Sequence, residues 1–219
     1  MKVRLVVLSK KLLGIYVLTF LLTFGCNQSK DMDNKELILR HEAFPENLEL
    51  YSKLSKISTD GYIYNFIPYE RILCKDSLVC LDFSNGMLIY FDGQHFPNLD
   101  TLILKNNRID WVLNFNNLRE LKLLDLSGNR LKDIGSFKIE SLQNLVKLDI
   151  SRNMITDIPI EFFTMPNIEE IDLRNNNISN LPISSYSHSL KRIVLSGNSL
   201  SNDQVKEIKL KLKGVNVIP

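Results

Sequence analysis

LVKLDISRNMI, residues 145–155, is the stretch that decides how this chain folds. Four other segments share its spacing: LDTLILKNNRI from Leu99, LKLLDLSGNRL from Leu121, IEEIDLRNNNI from Ile168 and LKRIVLSGNSL from Leu190. The common pattern is Leu-x-x-Leu-x-Leu-x-x-Asn-x-Leu, with Ile accepted at the Leu positions, and the starts lie 22, 24, 23 and 22 residues apart. Within each copy the Leu-x-Leu core has the period of a strand, so Leu124 and Leu126 face one way and Leu123, Asp125 and Ser127 the other. One such strand cannot bury its apolar face alone. Copies of fixed period stack instead, pairing their strands in parallel and merging their apolar faces into one core. The rest of each copy must turn and return over the opposite side. Ile134, Ile158 and Leu181 hold a fixed slot three residues after the last patterned position. Pro159 and Pro182 follow at once, which fits an irregular return better than a long helix.

Working outward, a weaker sixth copy, LVCLDFSNGML, begins at Leu78, with Gly86 in the Asn slot and Asn85 one place early. The pattern as a whole resembles the leucine-rich repeat family, and the resemblance covers residues 78–219. It implies an α/β repeat solenoid: a parallel sheet on the concave side, an irregular or short-helical convex side, and a cap at each end. It also gives the recurring Asn107, Asn129, Asn153, Asn176 and Asn198 a structural role, a ladder linking adjacent turns. The chemistry agrees. The chain bends inward just after each strand, backbone amides there cannot reach water, and a carboxamide supplies both donor and acceptor. Solenoids of this family are binding scaffolds, so the resemblance implies a partner without identifying it.

The ends read as caps. In residues 201–219, Ser201 or Asn202 starts a helix, Asp203 sits in its first turn, and Gly214 stops it. Val205, Ile208 and Leu212 fall at helical spacing, and Val215 and Val217 alternate as a final strand. Lys206, Lys209, Lys211 and Lys213 read as a solvated helix face, since Glu207 interrupts them and no aromatic residue interleaves. Residues 35–77 read as the N-terminal cap: Leu48, Tyr51, Leu54 and Ile57 suggest a helix, and YIYNF (62–66) a strand ended by Pro68.

Residues 1–25 read as a signal peptide. A basic start precedes an apolar run, Leu12 to Gly25, of 14 residues, shorter than the ~20 a spanning helix needs. Thr23-Phe-Gly-Cys26 then resembles the lipobox of bacterial lipoproteins, although Thr23 stands where Leu is usual and Phe24 is bulky. The resemblance makes Cys26 the lipidated first residue of the mature chain, with residues 26–34 as a polar tether and the repeats, 78–200, displayed at a membrane. The full chain carries 27 basic and 25 acidic residues, a formal charge of +2. The first 25 residues hold four bases and no acid, so the mature chain is at −2, which gives no electrostatic reason to bind nucleic acid.

No nucleophile motif, phosphate loop or zinc signature is present, and His41, His95 and His188 are scattered, so the sequence assigns no catalytic residue, metal or cofactor. The resemblance implies a disulfide staple between Cys74 and Cys80, since caps of extracellular repeats often hold cysteines there; two independent thiols are the alternative. The outward strand residues form the candidate binding face. Asp125, Asp149 and Asp172 stack as a carboxylate row, with Lys147, Glu170, Arg174 and Arg192 beside them. Either a cationic partner relieves their repulsion, or the neighbouring bases do. Trp111 falls in a slot that holds Asp133, Asp157 and Asn180 in other copies, and reads either as a contact residue or as packing on Phe115. The resulting expectation is a non-enzymatic module binding a protein or glycan on its concave face. The alternatives are a self-associating envelope-organising solenoid and a regulatory subunit of a separately encoded enzyme.

Overall fold

The computed structural model describes residues 3–12, 15–19, 35–40, 56–60, 65–67, 69 and 75–219. Each patterned copy contributes one three-residue strand: β5 (Cys80–Asp82), β7 (Thr101–Ile103), β9 (Leu123–Asp125), β10 (Lys147–Asp149), β11 (Glu170–Asp172) and β12 (Arg192–Val194). They pair in parallel, neighbour to neighbour, and β13 (Asn216–Ile218) closes the C-terminal end. The central residue of each repeat strand, from Leu81 through Leu148 to Ile193, is at most 2% exposed. The sheet is therefore one wall of a continuous core, as the alternation requires. Return segments complete that core with 3-10 turns at 93–95, 115–117, 135–137 and 139–141 and one short helix, α1 (Glu161–Thr164). Phe91, Phe115 and Phe137 pack edge to face in succession, at centroid distances of 6.1 and 5.5 Å.

The Asn side chains hold the turns together. Asn153 Nδ2 donates to Leu126 O in the preceding copy and to Ile150 O in its own, both at 3.0 Å, and its Oδ1 accepts from Leu131 N at 3.0 Å. Asn107, Asn129, Asn176 and Asn198 repeat the arrangement. Every rung reaches back to the turn before it. In the first copy Gly86 stands in this slot and, having no side chain, makes no rung. One residue earlier the backbone is left-handed in every copy, at Asn85, Asn106, Gly128, Arg152, Asn175 and Gly197. Gly128 is needed for a second reason, because a Cβ there would collide with Asn106 Oδ1 from the neighbouring copy.

At the C-terminal end, α2 (Asn202–Lys211) starts in a capping box: Ser201 Oγ accepts from Gln204 N and Gln204 Oε1 accepts from Ser201 N. Gln204 Nε2 also donates to Ser179 O at 2.7 Å, tying the helix to the fifth copy.

The N-terminal side differs from the sequence reading. Ile57, grouped above with a helix, lies fully buried in a strand, β4 (Lys56–Asp60), which pairs in parallel with β5. Its proposed helical partners Leu48, Tyr51 and Leu54 fall outside the described residues. Of YIYNF, only Asn65 and Phe66 are described, and they form a bend. Beyond β4 the sheet continues through β3 (Lys35–Arg40) to β1 (Val3–Leu12), and β2 (Ile15–Thr19) folds back antiparallel on β1. The strands β1 and β2 fall within the segment read as a signal peptide, so its cleavage would remove both and leave β3 at that end. Cys26, the tether and Cys74 lie outside the described residues.

A second small sheet was not anticipated. β6 (Tyr90–Asp92) and β8 (Trp111–Leu113) pair in parallel on the flank that descends from the main sheet, in the first two copies.

Candidate functional site

Strand register sets the concave face. Leu123, Lys147, Glu170 and Arg192 lie side by side, as do Asp125, Asp149, Asp172 and Val194. All of these but Val194, together with Arg174, line a depression of about 290 Å³ floored by Leu124, Leu148 and Ile171. Seven of the eight residues singled out above for the binding face are therefore in one place. The eighth, Trp111, is on the flank, and Cys80 stands on β5 at the end of the outward row, away from the depression.

The aspartates have a local role that the sequence reading did not assign. Asp82, Asp125, Asp149 and Asp172 each accept, through Oδ1, a hydrogen bond from the backbone N–H two residues on, at 2.9–3.1 Å. These are Asx turns, and they end each strand where the chain bends inward. Ser127 adds its hydroxyl to Asp125 at 2.6 Å, and Ser84 does the same to Asp82. The signal was present in the Asp-x-Ser spacing of three copies. An aspartate thus recurs for a structural reason, its second oxygen turned to the face and, at Asp172, taken by Arg174.

Electrostatics within the row is uneven. Arg174 Nη2 meets Asp172 Oδ2 at 2.9 Å, and Lys147 Nζ meets Glu170 Oε2 at 3.4 Å. Burial pushes the Asp125 carboxyl above its ordinary range; repulsion from Asp149 adds to this, and the bonds from Ser127 oppose it. Burial likewise raises Asp172, with Asp149 again adding and the Arg174 amide and guanidinium opposing. The depression thus holds four acids and three bases, and its Lys147–Glu170 pair is exposed enough to exchange for a partner's charges at little cost.

Trp111 is 46% exposed and stacks nearly parallel on Tyr90, at a centroid distance of 5.2 Å and an angle of 18°. It does not use Phe115, which is buried in the core against Phe91 and Phe137. The sequence reading missed Tyr90, although it occupies in the first copy the slot that Trp111 occupies in the second.

Among the described residues no cluster of His, Cys, Asp or Glu is arranged to hold a metal ion, and no helix is long and apolar enough to cross a membrane. Comparison with known proteins agrees with the geometry. Residues 119–178 and 143–200 match the family model described as leucine rich repeat. An uncharacterized leucine-rich repeat-containing protein of Schizosaccharomyces pombe is 32% identical over 142 residues, 63% of this chain and 21% of that protein. An internalin from Listeria monocytogenes superposes with a TM-score of 0.66 at 17% identity, covering 83% of this chain and 53% of that one. TLR13, solved in complex with a single-stranded RNA, gives 0.63 at 21% identity over 84% of this chain and 28% of its own. The chain spans about a fifth of the yeast protein and about half of the internalin. The structural likenesses establish the fold: this is a leucine-rich repeat solenoid.

Proposed function

We propose that the chain is a non-enzymatic protein-binding module, held at a bacterial membrane by a lipid on Cys26, with the concave depression as its contact surface. The observation that carries this reading is the depression itself. The half-exposed Lys147–Glu170 pair, the Arg174–Asp172 pair and the carboxylates of Asp125 and Asp149 stand side by side on the sheet, with Leu123 at one end. Closely spaced charges of both signs suit a protein surface, which supplies complementary charges in a fixed pattern. A glycan is the poorer fit, because the three outward rows of residues hold no aromatic ring on which a sugar could stack. Nucleic acid is also disfavoured, since acids outnumber bases in the depression.

Asp149→Asn together with Asp172→Asn tests this. An amide oxygen still accepts the Asx hydrogen bond, so the fold is kept while the charge is removed. Capture of an envelope protein by the immobilised chain should be lost in the double variant and kept in Lys132→Ala, on the flank. Equal capture by both variants would place the interface elsewhere. The membrane arm is tested separately: palmitate labelling should be abolished by Cys26→Ser, with release of the variant from membranes, and persistent labelling would point to another anchor.

A further inference from the structure

The flank of the first two copies carries an apolar surface that the fold does not require. Met87, Ile89 and Trp111 are 41%, 39% and 46% exposed, and Tyr90 lies between them, stacked on Trp111. The repeat supplies its own control. The Tyr90 and Trp111 slot is Asp133, Asp157 and Asn180 in the next three copies, and the Ile89 slot is Asp110, Lys132, Thr156 and Ser179. Polar residues serve the solenoid equally well there, so the apolar ones answer to something outside it. Charge says what. Asp92 and Asp110 adjoin the Tyr90–Trp111 pair and Arg108 stands in the Met87 slot of the second copy, so the charges described at the patch are net acidic. A matching occupant is apolar at its centre and basic around it.

The other end of this chain presents such a surface. Leu210, on α2, is the most exposed large apolar side chain among the described residues, at 71%, and Lys209, Lys211 and Lys213 surround it in sequence. Lys211 is paired with Glu207, which leaves a net basic helix. Five strand intervals separate β7 from β13, about 24 Å at the usual spacing of paired strands, so the two surfaces cannot meet within one molecule. We infer that the Met87–Ile89–Trp111 flank of one chain docks α2 of a second copy around Leu210. Because the two surfaces differ, the contact is heterologous, and each added copy leaves one of each surface open. The chain therefore assembles stepwise rather than stopping at a symmetric dimer. This inference is independent of the concave reading, which uses other residues.

Sedimentation velocity of the purified full chain across a concentration series tests it. The average sedimentation coefficient should climb past the dimer value, and less so as salt rises. Trp111→Asp, which places there the residue found at 133 and 157, and Leu210→Gln, on an exposed helix face, should each leave a folded monomer with unchanged circular dichroism. Mixed in equal amounts, the two variants should form a dimer and stop, since each retains one intact surface. A wild-type monomer at every concentration would overturn the inference. So would assembly that survives both substitutions, or a mixture that stays monomeric.

Discussion

The concave sheet and the descending flank are built from the same repeat, yet they obey it differently. On the sheet the recurring side chains recur for reasons of folding: Asp125, Asp149 and Asp172 end their strands by Asx turns, and Asn129, Asn153 and Asn176 bond the turns together. On the flank, buried slots such as Ile134 and Ile158 recur, but exposed slots vary freely, from Trp111 to Asp133. A repeat protein thus separates what the fold needs, which is periodic, from what it does not, which is where copies disagree. The charges at one strand position, Leu123, Lys147, Glu170 and Arg192, disagree in the same way, and they are the part of the sheet assigned here to a partner.

The comparison can be broken first at its periodic side. Asn153→Leu leaves the Leu131 N–H without its acceptor and takes one donor from Leu126 O and Ile150 O, which keep those of Asn129 and Asn176. It should cost about 1–3 kcal/mol, the penalty for one unsatisfied buried group. Asn27→Leu, in the segment read from the sequence as a tether, should leave the denaturation midpoint unchanged, and equal behaviour of the two variants would defeat the ladder. Gly128→Ala comes next. Its left-handed backbone and the adjacent Asn106 Oδ1 should together cost about 1–3 kcal/mol. Gly214→Ala has the backbone strain with nothing within 4 Å, and should cost less. Reversal of that order would remove the packing argument.

A smaller effect sharpens the electrostatic side. Asp125 and Asp172 have carboxyl groups raised in the folded chain, so the folded state holds their protons more tightly than the unfolded state does. Their contribution to stability is most favourable near and below the ordinary carboxylate range and falls as pH rises through the raised values. Asp125→Asn with Asp172→Asn removes that dependence. The variant's melting temperature, relative to the parent chain, should therefore be more favourable at pH 7 than at pH 4, and a difference independent of pH would show that burial does not penalise these charges.

Much of the fold was legible because about six positions recur together in five copies, which fixes strand, bend and return at once. Trp111 was legible as a departure, but its stacking partner was not, because the first copy departs from the pattern at Gly86 and Tyr90 was not aligned with it. Ile57 was misread for a related reason: outside the repeats a single apolar spacing serves helix and strand alike, and only pairing with β5 decides between them. The Asx role of the aspartates was written in Asp-x-Ser but went unread, since a row of like charges drew attention to repulsion rather than to the backbone behind it.

Crosslinking from defined positions tests the central assignment most directly. A photoreactive benzoylphenylalanine is placed at the concave position of Glu170 in one variant and at the exposed flank position of Asn180 in another, and each is irradiated in cells that express the chain. The account predicts a discrete adduct with one other protein from the Glu170 position and none from Asn180. An adduct from Asn180 with none from Glu170 would contradict it.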